Sequence, residues 1–228
     1  MIPQISQIWA KTKKELAMKN RIFLGTVLVA SLVSGALAQG LFVGAEGNYI
    51  FKSKLSQDIS IPSVLNKTNN ELNDEQMAVG LKVGYDFDSW RVYGAYMRNL
   101  KANEDELQSY NKYEWSGNDF LVGADWTPKF NLFSQELKGT VGAYGGYSVM
   151  DITTSYNNYS ADYTQNGCIY GLRLGVAYDI NQNNEIEFGV KYNEARYKDK
   201  EVAFKIEDTK RTNSSIFVGI ITNFELLA

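Results

Sequence analysis

From residue 41 onward apolar side chains fall at every second position in eight stretches. These are roughly 41–51, 77–87, 90–99, 117–127, 138–149, 167–179, 185–197 and 212–224. Period-2 alternation is the mark of a strand with two unlike faces. Each stretch reaches or slightly exceeds the roughly 9–11 residues that a tilted strand needs to cross a bilayer. The segments between them run 25, 2, 17, 10, 17, 5 and 14 residues. That long/short rhythm predicts an all-β, eight-stranded antiparallel up-and-down transmembrane β-barrel, with long loops on one side and short turns on the other.

The two faces differ in kind. One carries Val43, Ala45, Tyr49, Phe51, Val79, Leu81, Val83, Val92, Phe120, Val122, Leu172, Leu174, Phe188, Val190, Ile216, Val218 and Ile220. The other carries Glu46, Lys82, Asp86, Arg91, Asp119, Asp125, Lys138, Arg173, Glu187 and Lys191 among many glycines. These five acids and five bases predict a charge network inside the barrel, with the apolar set meeting lipid. With the N-terminus starting in the periplasm, Tyr85, Phe87, Trp90, Trp126, Tyr178 and Phe224 fall at one rim. Tyr49, Phe51, Tyr96, Tyr147 and Tyr192 fall at the other. Two aromatic girdles are expected where amphipathic rings meet headgroups. A secreted, lipocalin-like barrel also alternates, with its apolar face inward. The rim aromatics and the glycines on the charged face favour the membrane.

The stretch "VGLKVGYDFDSWRVYGAYMRN" (79–99) reads as a hairpin about Asp88-Ser89, the two-residue connection that tight hairpins favour. That register sets Phe87 opposite Trp90 on the lipid side and Asp86 opposite Arg91 inside. Lys82 needs an acid from another strand, and Glu46 on the first strand is the leading candidate.

Composition adds a destination. Lys19 and Arg21, the apolar run Ile22–Val33 and Ala36-Leu37-Ala38 occur in the order of a signal peptide, Met18–Ala38, cleaved before Gln39. Residues 1–17 are either an extension of it or lie upstream of a true start at Met18. The division expected is a leader over 1–38 and a barrel over 39–228. The barrel segment holds 18 bases and 25 acids, a net charge of −7, with no basic patch for nucleic acid. All three prolines (Pro3, Pro62, Pro128) lie outside the predicted strands, as ladder bonding requires.

The chain contains no histidine and one cysteine, Cys168. His-based catalysis, His-ligated metal, Cys-cluster metal and an intrachain disulfide are therefore excluded. No metal site and no cofactor are expected. Cys168 falls on the lipid-facing parity and reads as a small apolar residue.

The opening "GLFVGAEGNYIF" and the ending "SSIFVGIITNF" resemble the first and last strands of the small outer-membrane barrels of Gram-negative bacteria, the OmpA/OmpX-like and opacity-type porins. The last-strand pattern Ile216, Val218, Ile220, Phe224 is similar to the signal read by the barrel-assembly machinery, although "ELLA" follows the aromatic here. The resemblance implies the bacterial outer membrane, with outer-membrane lipid and lipopolysaccharide as surroundings and assembly machinery as a partner during biogenesis. The enzymes among barrels of this size each use an active-site histidine, so the resemblance implies no enzyme. The expected role is structural or adhesion-like, with a monomer presenting loops to a host, matrix or envelope surface. The alternative is a small porin-like channel. For surface contact the candidates are Tyr156, Tyr159 and Tyr163 in "MDITTSYNNYSADYTQN" (150–166) and Phe204 in "KDKEVAFKIEDTK" (198–210). The first stretch has the Tyr/Asn/Ser composition of adaptable binding surfaces. The second suggests a strand pair projecting beyond the membrane.

Overall fold

The structure is a computed structural model that describes residues 40–224, except 61–66, 106–110, 133–134, 157–158 and 202–204. The proposed leader, Pro3 and Pro62 lie outside the described residues. So do Val202 and Phe204.

Ten strands follow one another: β1 (Leu41–Ser60), β2 (Lys67–Asp86), β3 (Trp90–Asp105), β4 (Asn111–Trp126), β5 (Lys129–Leu132), β6 (Gln135–Tyr156), β7 (Tyr159–Asp179), β8 (Asn184–Tyr197), β9 (Lys200–Glu201) and β10 (Lys205–Phe224). Eight of them form an antiparallel barrel in the order β1-β2-β3-β4-β6-β7-β8-β10, closed by β10 pairing with β1. β5 adds a short hairpin at the start of β6, and β9 pairs with Lys205 and Ile206 of β10.

Closure can be followed residue by residue. The register leads from Leu41 through Tyr85, Val92, Ala124, Ala143, Leu172, Tyr192 and Ser214 back to β1 at Lys52. The walk returns about ten residues up the strand once the bulge after Ile50 is allowed for. A stagger of that size in eight strands sets a tilt of roughly 40°.

The strands outrun the alternation that announced them. β1 continues to Ser60 and β2 begins at Lys67, so most of the expected loop 52–76 is a paired ladder. The expected loop 150–166 is likewise the far end of β6 and β7, paired up to Tyr156 and Tyr159. Above the apolar band the outward face turns polar while the inward face stays mixed, and the period-2 signal fades although the hydrogen bonds continue. The long-loop expectation is corrected accordingly: the long connections are hairpins.

At the opposite end the turns are tight. Phe87 N–H donates to the Trp90 carbonyl at 2.7 Å, and Asp88 sits at φ 71°. Asp88 N–H donates to the Asp86 carboxylate at 2.8 Å, an Asx-type bond that stabilises this turn. Pro128 lies between β4 and β5, outside the ladder.

Candidate functional site

The alternation sorts side chains between an exposed outer surface and a buried interior. Phe87, Trp90, Tyr96, Trp126, Tyr147, Tyr178, Tyr192 and Phe224 are all exposed on the outer surface. Trp90 pairs directly with Trp126 across β3 and β4. Tyr85 is half-buried, with its ring 4.6 Å from that of Phe87. Cys168 is exposed on the same outer surface.

Inside, the charges are stacked in layers. Nearest the tight turns, Arg91 bonds Glu185 with both terminal nitrogens (2.6 and 2.7 Å), Asp86 with Nε (2.7 Å) and Glu187 at 3.2 Å. Lys138, closer to the rim, bonds Asp179 at 2.8 Å and Glu185 at 2.9 Å. In the next layer Lys82 bonds Glu187, and Lys191 bonds Glu46. Arg173 lies among Glu187 (3.0 Å), Asp125 (3.5 Å) and Glu46 (3.7 Å). Phe42, Phe217, Tyr93 and Tyr144 fill the spaces, and the Arg173 guanidinium lies 4.5 Å from the Phe217 ring centre.

Two glycines make room for these rings. A Cβ on Gly123 would stand 2.5 Å from Tyr93, and one on Gly171 would stand 2.6 Å from Tyr144. Each glycine lies directly opposite its tyrosine in the ladder.

The expected ion pair of Lys82 with Glu46 is present at 3.9 Å, and a second acid joins it: Glu187 on β8 accepts the Lys82 hydrogen bond. On an open sheet the neighbouring strand offers the nearest acid. Once the sheet closes, β8 reaches Lys82 across a lumen only a side chain or two wide.

Above the charges, Arg211 bonds Asp119 at 2.9 and 3.0 Å, with Ser148, Tyr197 and Asn99 completing the cluster. A second, apolar layer then occupies the lumen: Leu55, Ala102, Trp115, Met150, Ile152, Ile169, Ala195 and Tyr197. Sequence reasoning missed this layer, together with Glu185, Arg211, Phe42 and Phe217. Glu185 shares the parity of Glu187, and that signal was available. Leu55 was hidden by the bulge after Ile50, which shifts β1 so that Ser53 and Leu55 point inward. Phe217 was hidden in a run apolar on both faces.

Tyr163, a candidate for surface contact, instead packs half-buried against the apolar layer. Tyr156 and Tyr159 are register partners at the end of the β6–β7 ladder. Two interior cavities, of about 10 and 30 Å³, lie around Tyr144 and Lys191. The larger has room for a water or two. No cluster of three or more metal-ligating side chains occurs among the described residues.

Several solved structures are similar to this chain. Neisserial surface protein A is 17% identical over 82% of this chain and 98% of its own, with a TM-score of 0.45. Ail, the attachment invasion locus protein of Yersinia pestis, solved with the heparin analogue sucrose octasulfate, is 14% identical over 80% and 99%, with a TM-score of 0.42. The outer membrane protein OprG of Pseudomonas aeruginosa is 14% identical over 82% and 97%, with a TM-score of 0.45. Comparison with curated proteins gave no significant match. The family model of the opacity family porin protein matches residues 83–217, more than half of the chain, and this bacterial outer-membrane barrel belongs to that family.

Proposed function

We propose that this protein is a non-enzymatic surface barrel that works through its long hairpins, with a lumen closed to solutes. The reading rests on what fills the interior. A layer of paired ions spans the lumen near the tight turns, and an apolar layer around Trp115 and Met150 spans it further up. Ions buried this deeply persist only when paired, because an isolated one costs several kcal/mol. The carboxylates of Glu46, Asp119, Asp125, Glu185 and Glu187 are all engaged by bases, which leaves none in the posture of a general acid or base.

The long hairpins supply the working surface. β6 runs nine residues past Tyr147, which carries the β6–β7 hairpin roughly 20 Å or more beyond the outer girdle after allowing for tilt. Its tip, around Tyr156 and Tyr159, is the leading contact for a host, matrix or envelope partner. The barrel closes on itself, so a single copy suffices once the assembly machinery has inserted it.

Single-channel recording on refolded protein in a planar bilayer tests the closed lumen. No steady conductance is expected. A stable open level that changes ion selectivity on Arg91→Gln or Arg173→Gln would establish the porin-like alternative. For the surface role, cells displaying a version with residues 153–162 replaced by a two-residue turn should attach less well to matrix-coated surfaces. Unchanged attachment would remove the β6–β7 tip from consideration.

A further inference from the structure

The outer surface carries a feature that neither the charged lumen nor the hairpin tips account for. Where β1, β10 and β8 meet at the closing seam, three register rows stand one above another on the outward face. The lowest runs Leu172, Tyr192, Ser214, Lys52; the next Tyr170, Glu194, Thr212, Lys54; the third Cys168, Arg196, Lys210, Ser56. The lowest row is the one that climbs around the barrel from Leu41. It stays within apolar and aromatic residues as far as Tyr192, then leaves the lipid band at Ser214 and Lys52. The three rows therefore begin where the lipid-facing surface ends.

Four cations and one acid occupy these rows, and Glu75 of β2, which accepts a hydrogen bond from the Tyr49 hydroxyl, flanks them beside Lys52. Glu194 holds three neighbours at once: Lys210 at 2.6 Å, Arg196 Nε at 2.7 Å and the Tyr170 hydroxyl at 2.6 Å. Arg196 is engaged through Nε, and its side chain remains 69% exposed. Lys52 is exposed and has no ion-pair partner among the described residues. Thr212 and Ser214 add hydroxyls between the cations.

The rest of the belt at this height differs. Counting up each strand from its own interfacial aromatic, the outward residues include the exposed acids Asp151 and Asp162. Of the bases there, Lys101 is taken by Glu114 and Arg98 bonds Asn118. Among the described residues, the outward bases at this height are most concentrated at the seam, on a protein that is acidic as a whole.

We infer that this seam patch binds the phosphate groups of the outer leaflet's lipopolysaccharide. The cations stand at headgroup height, directly above a surface already in contact with acyl chains. Arg196 with its planar fork and Lys52, Lys54 and Lys210 as point charges suit a pair of phosphates. Glu194 holds Arg196 and Lys210 in position before the lipid arrives, which lowers the ordering cost of binding. The site depends on the long hairpins facing outward and does not depend on a closed lumen.

The test uses the refolded full chain in detergent, with bound lipid counted by native mass spectrometry. The probes are bisphosphorylated lipid A, dephosphorylated lipid A and inorganic phosphate. The chain is compared with the quadruple variant Lys52→Gln, Lys54→Gln, Arg196→Gln, Lys210→Gln, and with a far-side control, Arg98→Gln, Lys101→Gln. Folding of each is verified by heat-modifiable gel mobility. Bisphosphorylated lipid A should bind the quadruple variant roughly tenfold or more weakly than the unchanged chain and the control. Dephosphorylated lipid A should bind all three alike and weakly. Equal retention of bisphosphorylated lipid A by the quadruple variant and the unchanged chain overturns the site. Displacement of that lipid by millimolar inorganic phosphate overturns the lipid as source and makes this a free-phosphate site.

Discussion

Arg91 and Glu185 meet inside the barrel as a two-pronged ion pair, 94 residues apart in sequence, with both side chains at most 1% exposed. The pair ties β3 to β8 across the lumen. Removing one partner strands a buried charge, and Arg91→Met should destabilise the barrel by about 3–5 kcal/mol. The double variant Arg91→Met, Glu185→Leu should recover part of that loss, since Glu185 is no longer stranded while Asp86 and Lys138 each still lose a partner. Urea unfolding in detergent, followed by tryptophan emission, measures both. A double variant no more stable than the single one contradicts the pairing account.

Asp88 tests the turn next door. Its φ of 71° suits Asp, Asn and Gly and penalises β-branched side chains. Asp88→Gly should leave the melting temperature unchanged, and Asp88→Val should lower it. The carboxyl also titrates below its usual range, chiefly because Lys129 donates it a hydrogen bond at 2.5 Å. A depressed carboxylate contributes stability above its unfolded-state pKa of about 4 and loses it as pH falls through the folded value. Lys129→Met should therefore cost stability at neutral pH and little at pH about 3, where Asp88 is largely protonated in the unfolded chain. A cost independent of pH would assign Lys129 a packing role instead.

The order of charges and apolar residues before Gln39 predicts cleavage after Ala38. Intact-mass measurement on protein from outer-membrane fractions should give a chain beginning at Gln39. Ala36→Phe with Ala38→Phe should leave the precursor uncleaved. A mature chain beginning elsewhere rejects this site.

Strand number, faces and the Asp86–Arg91 pair were legible in the sequence because each depends on local alternation and one tight hairpin. The Lys82–Glu187 hydrogen bond was not, because it is chosen by closure: β2 and β8 become neighbours only across a lumen that forms when β10 finds β1. Nor was the direction of Leu55, since one bulged residue after Ile50 exchanges the faces and leaves no mark in an alternation count. The upper halves of β1, β2, β6 and β7 were read as loops because water surrounds them on the outside, and selection for apolar side chains at alternate positions ends there. The apolar layer around Trp115 sits in that same region, at the top of a lumen where the sequence pattern gave only charges to expect.

On the proposed reading that layer is a second seal of the lumen, and the two seals can be separated. Trp115 is 1% exposed and Met150 is fully buried, so Trp115→Ala with Met150→Ala should cost several kcal/mol and open a void near the hairpin end. The paired ions around Arg173 and Arg91 stand below that void, and the variant should still pass no steady current in a planar bilayer. Arg173→Ala alone removes the cation among Glu46, Asp125 and Glu187 but leaves the apolar layer in place, and should also stay silent. Combining the three substitutions removes both barriers along one path, and only that variant should conduct, with cation preference from the carboxylates left uncompensated. Current through Arg173→Ala alone would mean that the apolar layer is not a seal. Silence of the triple variant, with folding verified by gel mobility, would place the closure elsewhere in the barrel.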